Sequence, residues 1–228
     1  MSQSPDTYFK YLCETIPSLI HNEKIWKVGK GNEKVEIFST STPFVGFKGS
    51  LEVPGKPHDI VLGFLDIKKR MKWSDLLVGG EFLEPLKPIA VRKGVMKKHG
   101  FKKVESCLIH YLFKPPLKIV TARDAVVRVI VGTQHDGTII CAYYSPDEKV
   151  AGAKPGDEQY IEKTKYIRAL IRHSGAVLRK KSDGKIQCEL MEFMDPCGAI
   201  PKFVLSTQLH DYVVDYSKFR DEMWKAFK

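Results

Sequence analysis

The C-terminal stretch Asp195–Phe227 constrains the fold more than any other part of this chain. Pro201 lacks an N–H and holds φ near the helical value, which suits a first helical turn, so a helix is expected to open there. Beyond it Leu205, Leu209, Tyr212, Tyr216, Phe219, Met223 and Phe227 recur at steps of four and three, forming one apolar stripe. A helix from Pro201 to Phe227 is about 40 Å long at 1.5 Å per residue, enough to cross a whole domain. A broad apolar surface must lie beneath it.

The preceding chain supplies strands. A first helix is expected over Asp6–Ile16, capped by Asp6 and ended or bent by Pro17. Short strands over Lys24–Val28 and Lys34–Ser39 flank a glycine turn, and Phe44–Val53 alternates as a third strand. Pro57 opens a helix to about Lys69, and Trp73 is read as a core anchor. Glu81–Leu86 is read as a helical turn. Strands follow over Ile89–Lys97, Lys103–Phe113, Asp124–Thr133, Thr138–Ser145, Tyr166–Lys180 (bent at Gly175) and Lys185–Met194. Asp136-Gly137 and Asp183-Gly184 mark tight hairpins. Adjacent antiparallel strands with helices near the two ends indicate an α+β domain on one curved sheet, with the last helix laid on it.

At 228 residues and 43% apolar content, with 13 prolines and 17 glycines spread evenly, the chain reads as a single domain over residues 1–228. Its start lacks the basic and apolar regions of a signal peptide, and no long uncharged apolar run occurs, so a soluble cytoplasmic protein is expected. The five cysteines are scattered, without a Cys-x-x-Cys pair, and read as small buried hydrophobes in a reducing compartment. A formal charge of +10 gathers at Lys68–Lys72, Arg92–Lys103 and Arg179–Lys181. Each cluster alone reads as a solvated face. Together they point to an anionic partner, nucleic acid or an anionic membrane, and the lack of an aromatic-interleaved basic motif places nucleic acid last. Two connections are long. Lys114–Ala122 carries two prolines and three apolar residues, as a lid, a membrane contact or a self-packed Ω-type loop would, and Asp147–Asp157 reads as a surface loop.

No motif of a zinc protease, serine hydrolase or P-loop occurs, and no Cys/His spacing suits a metal, so neither metal nor cofactor is expected and no catalytic residues are assigned. Of seven histidines only His110 sits in an apolar strand, where a hydrogen-bonded interior residue is the simpler reading than a general base.

Arg70-Met-Lys-Trp73-Ser-Asp75, the run Pro115–Val126 containing Arg123-Asp124, Asp136-Gly137, Tyr166-Ile-Arg168, Gly175 and Asp195-Pro-Cys-Gly198-Ala-Ile-Pro201 stand in the order found in START domains. The chain resembles that lipid-transfer family, named after the steroidogenic acute regulatory protein, from about Ile25 to Phe227, and over Arg168–Pro201 it is most similar to the phosphatidylcholine-transfer branch. The resemblance implies a helix-grip fold, in which a curved antiparallel sheet encloses a lipid tunnel. The lid would be the C-terminal helix and an Ω-type loop, here Phe113, Pro115, Pro116, Leu117, Ile119 and Val120. The matching motif residues are Trp73, Arg123, Asp124, Asp195, Gly198 and Pro201. Sterol-carrying members place a cavity-facing acid and arginine where this chain has His110 and Val129, with Arg128 turned to the opposite face, so sterol binding through that ion pair is not expected; a wholly apolar chain pocket or a head group met by His110 is, with a phospholipid favoured over a sterol.

Alternation gives the expected lining: Leu108, His110 and Leu112 on one strand, Ala125, Val127, Val129 and Val131 on the next, and Leu205, Leu209 and Tyr212 from the last helix, with Cys107, Ile109 and Tyr111 facing out. The expected function is transfer of one lipid between membranes by a monomer in transient contact with anionic bilayers. The alternatives are a lipid-sensing module without transfer activity and an enzyme on a helix-grip scaffold.

Overall fold

A computed structural model describes residues 11–28, 32, 36–39, 45–91, 93–114, 120–146, 166–172, 174–197 and 202–226. Its strands are β1 (Lys27–Val28), β2 (Glu36–Ser39), β3 (Val45–Val53), β4 (Leu77–Pro88), β5 (Phe101–Phe113), β6 (Arg123–Gln134), β7 (Ile139–Tyr144), β8 (Ile167–Arg168), β9 (Leu170–Ile171), β10 (Ser174–Lys180) and β11 (Ile186–Asp195). They form one curved sheet in the order β1-β2-β3-β11-β10-β7-β6-β5-β4, every neighbour on that path antiparallel. β8 runs parallel to β6 beyond the end of β7, and β9 pairs with β11. The expected α+β helix-grip architecture is present.

The helices are α1 (Ile16–Ile20), entered through a π-helical turn at Tyr11–Thr15, α2 (Pro57–Leu65), α3 (Ile67–Trp73), α4 (Lys93–Lys98) and α5 (Lys202–Ala226). Pro17 does not end the first helix. It lies in the first turn of α1, where an N–H has no acceptor, and the helix runs on to bury Ile16 and Ile20. The helix from Pro57 divides in two. Asp66 leaves helical geometry and its carboxylate accepts from the Lys69 N–H at 3.0 Å, so it ends α2 and caps α3. Gly137, at φ 88°, and an Asp136 carboxylate accepting from the Thr138 N–H at 2.8 Å make the β6–β7 hairpin that Asp-Gly announces.

Three strand readings change. Glu81–Leu86 belongs to β4, an edge strand whose bulges hide its alternation. Ile89–Lys97 is not a strand: β4 stops at Pro88 and α4 follows, its Val95 and Met96 packed on the outer face of the sheet. Tyr166–Lys180 is broken into β8, β9 and β10, because its first part pairs with β6 and β11 separately. At Gly175 in β10 a Cβ would stand 2.4 Å from the Cys141 carbonyl oxygen, so glycine is needed there for close approach.

Both faces of the sheet carry a core. On the inner face Phe47, Leu51, Ile109, Val127, Leu178 and Leu190 pack with Ile60 of α2, Trp73 of α3 and Phe219 of α5. On the outer face Leu12, Ile16 and Ile20 pack with Trp26, Phe101, Ile130, Val177 and Phe193. The N-terminal helix thus supplies a second layer. No described helix is long and apolar enough to cross a membrane.

Candidate functional site

The space between the inner face and α5 takes its shape from side-chain alternation. β5 and β6 pair Cys107 with Val129, Ile109 with Val127 and Tyr111 with Ala125, so these residues share a face. That face is the inner one: Ala125, Val127, Val129 and Val131 point inward, as do Cys107, Ile109 and Tyr111. The expected orientation of β5 is therefore reversed. Leu108, His110 and Leu112 pair with Arg128, Val126 and Asp124 on the outer face. The side chains of Leu205, Leu209 and Tyr212 lie outside the described residues.

Phe64, Tyr111, Val127, Tyr143, Glu192 and Tyr216 line a cavity of ≈ 60 Å³, into which Arg70 also projects. Arg70 comes from α3, where Ile67, Arg70 and Trp73 follow one another at steps of three on the inward face, while Lys68, Lys69 and Lys72 are exposed. Its guanidinium lies 4.9 Å from the Tyr111 ring centroid and 5.7 Å from that of Trp73. The buried Arg70 Nε has no hydrogen-bond partner among the described residues. Burial disfavours this cation, but Tyr111, Glu192 and Tyr216 outweigh burial and hold its pKa above the ordinary arginine value. Glu192 reaches the interior because it alternates with the inward Leu190 and Met194 on β11. The sequence places Arg70 in a basic run and in a family-like motif without assigning it to the interior, and does not single out Glu192; the helical step from Ile67 to Trp73 and strand parity are the signals that find them.

The other inward polar groups are neutral. Burial pushes the Cys107 and Cys141 thiols up to about 12 and raises Cys188 as well, so none is a thiolate nucleophile near neutrality. Burial likewise raises the Tyr143 and Tyr216 hydroxyls.

His110 belongs to a different cluster. Its Nε2 lies 2.9 Å from the buried Asp124 carboxylate and its Nδ1 3.9 Å from Glu81. Arg168 donates to both oxygens of Asp124 at 2.9 and 2.8 Å. Burial alone raises the Asp124 carboxyl, but the His110 and Arg168 hydrogen bonds prevail and hold it below the ordinary range. This outer-face network ties β5, β6 and β8 together, and contact of His110 with a head group in the cavity is ruled out by its direction. Arg128, also outward, makes a two-point ion pair with Glu84 at 2.5 and 3.0 Å.

The elements over the cavity are anchored unevenly. In the C-terminal half of α5, Asp215 accepts from Ser74 Oγ at 2.6 Å and from the Asp75 N–H at 3.0 Å. Lys218 pairs with Asp75 at 2.5 Å, and Phe219 stacks on Phe64 and Trp73 with centroids 4.2 and 5.0 Å apart. Trp73 is a buried core anchor, edge-on to Phe64. At the other end Arg123 donates to the carbonyls of Thr121, Pro196 and Cys197, joining the stem of the 114–122 loop to the connection that leads into α5. Asp195 accepts from the Cys197 N–H at 3.0 Å, holding that connection in a turn. Phe113 packs against the inner core. Val120, expected at the membrane, is buried at 8% exposure. Pro115, Pro116, Leu117, Ile119, Gly198 and Pro201 lie outside the described residues.

No family model matches the sequence, and no curated protein matches it. Solved structures do. Human StAR-related lipid transfer protein 5 superposes with a TM-score of 0.73 at 16% identity, covering 98% of each chain. The crystal structure of human STARD10 gives 0.69 at 15% identity over 99% of this chain and 81% of that one. The lipid transfer and protein localization domain of human StarD13 gives 0.62 at 15% identity over 91% and 93%. At these identities the likeness shows the fold, which is that of StAR-related lipid transfer domains.

Proposed function

We propose that this chain binds one phospholipid between the inner face of the sheet and α5 and carries it between membranes across the cytosol. The observation that supports this most is Arg70: a guanidinium whose buried Nε has no partner among the described residues, set beside Glu192 in an otherwise apolar and aromatic cavity, suits an anion that arrives with apolar material attached. A phosphodiester head group on acyl chains has that composition, whereas a sterol offers no anion. The inner faces of β5 and β6 carry Cys107, Ile109, Tyr111, Ala125, Val127 and Val129, none of them charged at neutral pH.

The cavity of ≈ 60 Å³ is smaller than the roughly 300–1,000 Å³ of small-molecule sites, so a lipid enters only if α5 and the 113–122 loop open together as a lid. Each buried CH₂ gains about 0.8 kcal/mol over water, and a bilayer offers the same gain. The protein therefore lowers the barrier to exchange and needs little net affinity. Docking is on anionic bilayers, with Leu117 and Ile119 entering the interface, and the unit works as a monomer without catalysis: the interior thiols are protonated and His110 is engaged on the far side of the sheet.

Transfer of a fluorescent phospholipid from donor to acceptor vesicles tests the reading. The chain accelerates transfer, rising salt slows it by screening, and Leu117→Asp slows it further. Transfer no faster than the spontaneous rate contradicts the proposal.

A further inference from the structure

We propose that the surface centred on α3 is the face that docks on an anionic lipid bilayer; this rests on the lipid-transfer reading and names the side of the molecule that meets the membrane. Among the described residues the exposed large apolar side chains are Leu62 on α2, Met71 on α3, and Val78 and Phe82 on β4, at 39%, 45%, 41% and 43% exposure. All stand on α3 or on two of the elements packed against it, α2 and β4. The same helix exposes Lys68, Lys69 and Lys72, of which Lys69 lies 3.9 Å from Asp66. Scattered apolar side chains need no explanation, but their confinement to one lysine-bearing helix and its flanks does.

The acids of β4 turn the other way. Glu81 and Glu84 stand in register with His110 and Leu108 of the outer face and engage His110 and Arg128. Phe82 stands in register with Ile109 of the inner face, on the side where α3 lies. Beside Leu62 a groove of ≈ 360 Å³, lined also by Lys69, Lys72, Phe219 and Met223, extends the surface to α5. Asp59 and Glu222 line it as well.

Apolar side chains interleaved with lysines suit the interface of an anionic bilayer, where the former enter the head-group layer and the latter meet phosphates. A protein strand adding to the open edge fits poorly, because β4 has three register breaks and carries Pro85 and Pro88. The arrangement also gives α3 two faces with related tasks. Its outer lysines meet the bilayer while Arg70, on its inner side, projects into the cavity.

The test is sedimentation of the full chain with phosphatidylcholine vesicles, with and without phosphatidylserine, beside loading of a fluorescent phospholipid delivered from cyclodextrin. Wild type binds the phosphatidylserine vesicles at low salt. The double variant Lys68→Gln/Lys72→Gln partitions about 30-fold less, at about fivefold per lysine, and Met71→Asp/Phe82→Asp stays unbound. Both still load lipid from cyclodextrin, which also establishes that they fold. Wild type that ignores anionic vesicles, or variants that bind as wild type does, overturn the proposal. So does self-association of wild type that Met71→Asp abolishes, since the patch then belongs to a second copy. Failure of wild type to load from cyclodextrin counts against the lipid reading instead, and the vesicle arm still judges the surface.

Discussion

Two buried carboxylates give stability opposite dependences on pH. Asp124 has its pKa depressed by His110 and Arg168 against the effect of burial, so its contribution is present above the unfolded value and is lost as pH falls through the folded one. Asp215 has its pKa raised, by burial first, despite the Ser74 and Asp75 hydrogen bonds. Its contribution is present below the unfolded value and is lost as pH rises through the folded one. Asp124→Asn is therefore expected to cost roughly 3 kcal/mol at pH 7, as for a broken buried ion pair, and less in acid. Asp215→Asn is expected to hold or raise stability at pH 7, since the amide oxygen still accepts from Asp75 and no buried charge remains. Denaturant unfolding across the acid range checks both signs. Of the two carboxylates only Asp124 stands out in the sequence, as a motif member. Asp215 meets Ser74 and Asp75 only through the docking of α5, a contact across the chain that no local pattern announces.

At the scale of elements, β10 is the tightest fit. Gly175→Ala would drive a Cβ against the Cys141 carbonyl and the Ile16 side chain, separating β10 from both β7 and α1. A loss of about 2 kcal/mol is expected, measured as a shift in the unfolding midpoint, with the β10 amides losing hydrogen-exchange protection first. The hairpin β6–β7 and the stripe of α5 were legible because turn chemistry and helical period are local. β4 was not, since an edge strand with bulges leaves no regular alternation to read. The orientation of β5 was lost for a different reason. Both of its faces are covered by core, so the run Val104–Tyr111 is buried throughout and carries no parity of its own. Only its register with β6 decides which side Tyr111 and His110 take.

For the whole molecule, the helix-grip class followed from the order of elements together with the family-like motifs, whereas the polar content of the cavity required the tertiary structure. Arg70 and Glu192 come from segments separated by most of the chain and meet only after the sheet has curved beneath α5. On the proposed reading, the interior then takes a charged head group as well as chains. Mass spectrometry of lipid released from the purified protein, wild type beside Arg70→Met, tests this most directly. The expected result is one phospholipid per wild-type chain and at least about tenfold lower occupancy in Arg70→Met, the scale of a lost charged hydrogen bond, with unfolding stability held or increased. A sterol or no lipid in wild type, or equal phospholipid occupancy in the two proteins, would contradict the account.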